Sequence, residues 1–535
     1  MSPARQEYQI TDDVPVLIWR RPMRPTPGIP VGAAGRTLEL CRQFGLDVNA
    51  IRRLGTCRQN AFWVNFVTHL SGRQVGRLPF ERMDPEVLDE TPTMLHNIPQ
   101  PDFEEYVQQK LMKNSLVEIR KNHSFVRLGD FGDYVVATIE DRAAQREYHV
   151  KCKYLVGCDG AKSAVRRCLG VESEGEDSYE TMMTIHINAN LYPVVKERVG
   201  MLHWVKVPEV SGVIIGYDFG GNQVLLCNFD AQKHPVESWN ETLCRKIVDA
   251  AIGTHIPYDV LSYRPWVLSR KVARSYRINR VLLAGDAAHS FPPTGGLGLN
   301  SGLGDVHNLA YKLAAIHHGW ASPSLLDTYE LERRPLALVN AAQSVKNGQQ
   351  IFRLLKNNPK LAGAVNEGIE GQREHFDNLG LHIGYIYGKT EIPGCASTYE
   401  PECVSGARLP HAWIQPSSSI AGQLGPIDSS YVKELSAEEV QRKQYSTLDL
   451  CVFDAFTILV DEGYADFWRI VLEKARERLP RGLKVNLVVR GADFDLQPGE
   501  VSEKWWTLTG LMKGQAVRTS IFSLYFGTAL GMRWK

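Results

Sequence analysis

Apolar and polar positions divide the chain into segments of different period. Residues 14–18 form a short β-like run that stops at Trp19-Arg20-Arg21-Pro22. A proline-rich stretch over 22–30 then leads to Gly35 and a predicted helix over 36–44, with Leu38, Leu40 and Cys41 apolar. Residues 62–78 alternate around Ser71-Gly72, the pattern of a hairpin. A helix is predicted over 101–111. Residues 115–155 read as strands separated by polar turns, closing on Tyr154-Leu155-Val156.

From 181 to 230 the period shortens to β runs at 182–189, 200–207, 212–217 and 223–229, with Gly220-Gly221-Asn222 as a hairpin turn. This predicts an antiparallel sheet inserted into an otherwise α/β chain. A buried strand over 281–284 runs into a glycine-rich loop and a helix over 299–316. Ser322-Pro323 has the residue types of an N-cap and first helical position, opening another long helix. Residues 371–411 are irregular and rich in Gly, Pro and Tyr, as in a linker. Beyond them, a β-like run at 448–459, a helix at 466–479 and a strand at 483–490 make a small β-α-β unit.

Composition narrows the class. The 535 residues are 44% apolar and 23% charged, the balance of an ordinary globular protein. Lys plus Arg number 61 against 60 Asp plus Glu, so the net charge of +1 gives no support to nucleic-acid binding. The opening residues carry Arg5, Glu7 and Gln9 with no apolar run, and no stretch of about 18 uncharged apolar residues follows. Neither a secretory signal nor a membrane partner is expected. The ten cysteines are scattered, with no Cys-x-x-Cys pair and no zinc spacing. They read as reduced thiols of a cytoplasmic protein, and no metal site is expected.

Two segments carry chemistry. The first is Val281-Leu282-Leu283-Ala284-Gly285-Asp286-Ala287-Ala288-His289, continuing through Pro292-Pro293-Thr294-Gly295-Gly296-Leu297-Gly298-Leu299-Asn300. A strand delivers one carboxylate, Asp286, at its carboxyl end, where ligands of open α/β sheets sit. Gly295, Gly296 and Gly298 let backbone amides approach closely, and the following helix start favours an anion. The second is Tyr154-Leu155-Val156-Gly157-Cys158-Asp159-Gly160, again a strand ending in Gly and Asp, before a helix with Lys162, Arg166 and Arg167. Alone it is equally a plain β-turn-α junction. Its basic residues fit either steering of phosphates or a solvated helix face.

Together the two segments resemble the signature of class A FAD-dependent aromatic monooxygenases, the para-hydroxybenzoate hydroxylase type. The nearer resemblance is to the phenol and dichlorophenol hydroxylase branch, which includes hydroxylases of fungal aromatic polyketide pathways. It is closest over 36–342. The resemblance implies a Rossmann-like FAD-binding domain at 12–56, 96–175 and 270–370, and a substrate-binding β-sheet domain at 57–95 and 176–269. A linker at 371–411 and a C-terminal thioredoxin-like domain at 412–535 complete it. It also implies that Asp286 bonds the ribityl chain of FAD and that the loop from Pro293 through Gly295, Gly296, Gly298 and Leu299 to Asn300 lies against the pyrophosphate and flavin. Gly285 belongs to the same turn. Asp159 and Gly160 are then associated with FAD and NADPH, Gln100 with the ribityl group, and Arg36 with the helix lining the cofactor groove. NADPH or NADH is the implied co-substrate, with O2 and a small aromatic substrate, in secondary-metabolite biosynthesis or aromatic catabolism. A homodimer is compatible with it. His289 reads either as a contact of the flavin edge or as a cap of the loop. No general base is assigned.

The chain also departs from that pattern. The family opens with a strand, G-x-G-x-x-G and a helix, then a second strand ending in an acidic residue before Arg-Arg-Pro. Here Trp19 stands at the acidic position, and the 18 residues before it are too few for a β-α-β unit of about 30. Near the C-terminus, Gly514-Gln515-Ala516-Val517 is not followed by the Arg-Pro-Asp-x-His pattern expected there. Weak retention of FAD is the expectation. Two alternatives stay open: epoxidation or Baeyer–Villiger insertion on a non-phenolic ring, and a flavin-deficient, non-catalytic relative.

Overall fold

The computed structural model describes residues 10–20, 30–229, 234–356, 367–389, 395–402, 404–422 and 425–497. The stretches at 21–29 and 514–517 discussed above lie outside the described residues. A first sheet is built on β1 (Ile10–Trp19), β2 (Arg146–Gly157) and β3 (Val281–Leu283). Both β1 and β3 pair parallel with β2, bringing Trp19 and Leu283 each level with Gly157. The earlier half of β2 pairs antiparallel with Val135–Asp141, which pairs with His123–Asp130. The apolar run at the end of β2 has no polar position to give to water, which suits a strand covered on both faces. Leu155, Val281 and Leu282 are accordingly fully buried, each worth about 1.5–3 kcal/mol relative to exposure.

The helices that matter to the site are α1 (Gly35–Gln43), α2 (Gln100–Leu111), α3 (Ala164–Cys168), α4 (Leu297–His317), α5 (Asp327–Lys356), α6 (Leu379–Ile383) and α7 (Ala465–Ala475). α4 and α5 pack together over the β3 side of the sheet, where the buried Tyr329 hydroxyl donates to the Leu283 carbonyl at 2.8 Å. Just ahead of α1, Pro30–Ala33 pairs antiparallel with His96–Pro99 at the head of α2.

A second, eight-stranded sheet runs in the order His289–Ser290, Tyr258–Ala273, Ser173–Ala189, Asn222–Asn228, Ser211–Gly216, Leu202–Lys206, Trp63–Val67, Gln74–Pro79. It is antiparallel as expected except at one junction, where Leu202–Lys206 and Trp63–Val67 run parallel. Those two strands come from separate excursions of the chain into this sheet, so no tight turn dictates their direction. The strand His289–Ser290 ties the loop after Asp286 to this sheet.

Local chemistry moved three boundaries. A 3-10 turn, Pro323–Leu326, precedes α5, and Ser322 makes no side-chain cap. The 448–459 run becomes a strand only at Phe456–Asp461, because Ser446 and Asp449 close a capping box around Thr447–Leu450. α7 stops at Ala475 rather than 479. Residues 371–411 hold a 3-10 turn, Arg373–Phe376, and α6, with His375, Phe376, Leu379, Leu381 and Ile383 buried. Beyond them a four-stranded sheet orders Ile414–Pro416, Phe494–Leu496, Val485–Arg490 and Phe456–Asp461, with α7 joining its parallel pair. No helix among the described residues is long and apolar enough to cross a membrane.

Candidate cofactor site

The two sequence motifs meet at one sheet edge. The Ala284 amide donates to the Gly157 carbonyl at 3.0 Å, so β2 and β3 deliver Asp159 and Asp286 side by side. Arg166 of α3 donates to the Ala287 carbonyl and closes the seam. The two carboxylates have different work. Asp159 is buried, accepting from the Ser163 hydroxyl at 2.5 Å and from the amides of Ala164 and Val165 at 2.6 and 3.1 Å. Both of its oxygens are spent on the start of α3, with Gly160 turning the chain at φ +82°. Replacing Asp159 with alanine should cost about 1–2 kcal/mol in urea unfolding; an unchanged midpoint would show that this cap does not hold α3.

Asp286 lies in the turn Gly285–Ala287 and is exposed, with no hydrogen bond to its carboxylate among the described residues. The protein around it nevertheless pushes its carboxyl above the ordinary value, with His289 opposing. A group that water reaches but that protein crowds sits in a cleft, not on a convex surface. Past it, the Gly296 amide donates to the Pro293 carbonyl at 3.0 Å, turning the chain into α4. Gly295 has φ +95°, and a Cβ there would lie 2.8 Å from Asn347 Nδ2, so only glycine fits. Among the described residues no side chain caps α4, and a Cβ on Gly298 would meet nothing within 4 Å. The first-turn amides of Leu297, Gly298 and Leu299 are therefore uncapped beside open space, where the helix start attracts negative charge.

The remaining candidates position this cleft. Asn300 is a staple: its Oδ1 accepts from Ala34 N at 3.0 Å and Thr37 Oγ1 at 2.5 Å, while its Nδ2 donates to the carbonyls of Gly32 and Gly296 at 2.9 and 2.7 Å. It binds α1 to the head of α4. His289 is wholly buried, its Nε2 2.8 Å from Asp305 Oδ2, stacked on Phe291 at 4.7 Å. Asp305 also accepts from Gly285 N at 3.1 Å and Arg333 Nε at 2.8 Å. Burial would raise the Asp305 carboxyl, but His289 and Arg333 more than reverse this and hold it below its ordinary value. This is the loop-holding reading of His289. Gln100 opens α2 and donates to Glu104 at 2.9 Å, and Glu104 pairs with Arg20. Arg36 heads α1 and pairs with the buried Glu39 at 3.0 Å.

Sequence reasoning missed three groups. Glu39 accepts from Arg408 at 2.6 and 3.0 Å and from Thr91 at 2.6 Å, joining α1 to a segment 369 residues away. Asp305 and Arg333 are the second, and the charged run Glu332-Arg333-Arg334 in a buried helix was their only sequence signal. Tyr385 is the third, on the wall of a cavity of about 500 Å³ between α1, α4, α5 and α6. Arg36 and Asn300 line this cavity, whereas no residue of 181–230 does.

At the end of β1, Trp19 leans on Phe125 with ring centroids 6.2 Å apart, and its carbonyl accepts from Cys158 N at 2.7 Å. It brings an indole, with no acceptor, to the place where the resemblance calls for a carboxylate.

The FAD binding domain family matches residues 30–344. The tetracenomycin B2 monooxygenase-dioxygenase of Streptomyces olivaceus is 31% identical over 408 residues, 72% of each chain. The 2,4-dichlorophenol 6-monooxygenase of Cupriavidus pinatubonensis is 31% identical over 515 residues, 87% of this chain and 81% of that one. The flavin-dependent monooxygenase PieE, solved with FAD and substrate, shares the fold at a TM-score of 0.77 and 24% identity, over 90% of each chain. The chain thus belongs to the FAD binding domain family and is an FAD-dependent monooxygenase.

Proposed function

We propose that this protein hydroxylates a phenolic or polyketide-derived aromatic ring with O2 and NAD(P)H, in a cytoplasmic setting. The observation that carries this reading is the exposed, unbonded Asp286 carboxylate beside the uncapped start of α4. These groups fit the flavin half of FAD: a carboxylate for the ribityl hydroxyls, and amides of Leu297, Gly298 and Leu299 for negative charge on the ring. Bound flavin supplies the electrons and activates O2. The chain's own work is to orient and to exclude water. Asn300 and Arg36 hold α1 against α4, Gly285, Pro293, Gly295 and Gly296 shape the loop, and His289 with Asp305 fixes its root. Asp159, Gly160 and Gln100 act behind this wall. The domain limits implied by the resemblance stand as part of the proposal, with the sheet beyond residue 412 read as thioredoxin-like.

Trp19 favours a second reading. Without an acceptor at that position the adenosine ribose loses hydrogen bonds, and a flavin-poor, non-catalytic relative becomes the rival. Purified protein supplied with FAD, NADPH and a panel of phenols should oxidise NADPH faster when a substrate is present and yield a product with one more oxygen atom. NADPH oxidation without product would sink the hydroxylase reading. Failure to take up FAD would favour the rival, and retention of FAD through gel filtration would remove it.

A further inference from the structure

β1 is the outermost strand on its side of the first sheet. Among the described residues its only strand partner is β2, which it meets from Ile10 to Trp19. Backbone groups alternate along a strand, and the Trp19 carbonyl accepts from Cys158 N, so Pro15, Leu17 and Trp19 turn theirs inward to β2. The N–H and C=O groups of Val14, Val16 and Ile18 therefore face outward. That outer row is unbroken, because Pro15, the one residue of β1 without an amide hydrogen, belongs to the inner row. The edge also lacks a charged guard: no charged residue lies between Asp13 and Arg20, and Ile18 is 64% exposed.

A shelf of apolar side chains runs beside this edge. α2 and the segment after it are tied to both ends of β1, Glu104 to Arg20 and Arg120 to Asp12 at 2.8 Å. Between those ties Leu111, Met112, Leu116, Val117 and Ile119 are exposed, Leu116 at 91%. Single exposed apolar residues need no explanation, but a row of them beside an open strand edge marks an interaction surface.

The residue order of β1 suits one occupant, a second copy of the chain. When a strand pairs antiparallel with its own copy about a two-fold axis, the outward rows of the two face each other. Centring the axis on Val16 puts Val16 opposite Val16, Val14 opposite Ile18 and Asp12 opposite Arg20. Moving it one residue either way sets Asp12 against Ile18, or Val14 against Arg20, a charge against an apolar side chain. Asp12 and Arg20 already hold Arg120 and Glu104, so their pairing fixes the register more than it adds strength.

We propose that β1 is the contact of a homodimer, in which the outer edges of two copies pair antiparallel about Val16 and join the two first sheets into one. This is independent of the hydroxylase reading. Sedimentation of the full chain should show a concentration-dependent mass of two chains. In hydrogen exchange the amides of Val14, Val16 and Ile18 should be protected in the dimer and exchange roughly tenfold faster or more on dilution to monomer. Ile18→Lys changes an exposed position, so it should preserve the melting transition. It sets an ammonium against Val14 of the other copy and should raise the dissociation constant roughly tenfold or more. Val16→Cys should give a disulfide-linked dimer under mild oxidation, since directly opposed residues have Cα atoms about 5.5 Å apart. Ile18→Cys, whose copies are four residues out of step, should not, nor should the wild type with Cys57, Cys168 and Cys395 exposed. A chain that stays monomeric would overturn the proposal. So would outer amides protected in a monomer, which would mean that another part of this chain covers the edge. A dimer indifferent to Ile18→Lys, or one that Val16→Cys does not link, is built on another surface and overturns it equally.

Discussion

Asp286→Ala should weaken FAD binding by about 10- to 100-fold, the worth of one to two hydrogen bonds to a charged group, and leave folding stability intact or slightly raised. Both halves follow from the same geometry. The carboxylate is exposed and makes no hydrogen bond among the described residues, so its removal strands nothing. Its carboxyl is held above the ordinary value, chiefly by the crowding protein. A carboxyl raised in the folded state makes folding less favourable once pH exceeds its ordinary value, so removing it relieves a cost at neutral pH. Flavin fluorescence titration measures the first half and urea unfolding the second. A variant that keeps its FAD affinity, or one that loses both FAD and stability, would show that Asp286 is a structural carboxylate and not a cofactor ligand. Asp159→Ala should behave in the opposite manner, since its oxygens hold α3.

The second large effect is expected at Glu39. Its carboxyl is wholly buried between Arg36 and Arg408, with Thr91 donating as well. Burial would raise it, but the two guanidinium groups prevail and hold it down at about 2, from an ordinary 4.5. Removing one partner of such a buried cluster leaves uncompensated charge and costs about 3–5 kcal/mol. Glu39→Ala should lose that much in urea unfolding at pH 7. The sign of the pH dependence follows. A depressed carboxyl contributes its stability above the ordinary value and surrenders it as pH falls from 4.5 towards 2. The gap between wild type and Glu39→Ala should therefore be widest at neutral pH and narrow through that acid window. A gap independent of pH would mean that the loss is one of packing and not of charge.

The motifs were legible because each is local. A strand that ends in Gly-Asp, a proline-stiffened loop and a helix start occupy one register in the sequence, and the side-by-side delivery of Asp159 and Asp286 follows once both strands enter one sheet. Periodicity likewise placed α1, α2 and α4 within two residues of their ends. What local pattern could not separate was two identical residue types in similar turns. Asp159 and Asp286 each follow a buried strand and a glycine, yet one is consumed by helix capping and the other faces a cleft. The difference is that Ser163 and the amides of α3 double back on Asp159, while among the described residues no hydrogen bond reaches the Asp286 carboxylate. His289 was ambiguous for the same reason: its partner, Asp305, sits 16 positions downstream on another element.

By itself, then, the order of residues determined the kind of protein this is: an α/β frame, an inserted sheet, and a carboxylate delivered beside the start of a helix. These depend on hydrophobic period and backbone sterics within a few residues. Only the tertiary structure decided which charges are spent and which are left. Glu39 finds Arg408 across 369 residues, Asn300 staples Thr37 of α1 across 263, and Arg333 keeps one buried donor unmatched among the described residues. Desolvation is the physical reason. A charge in water has many equivalent partners, but a buried one must be met by particular atoms, and which atoms arrive is settled by packing of the whole chain.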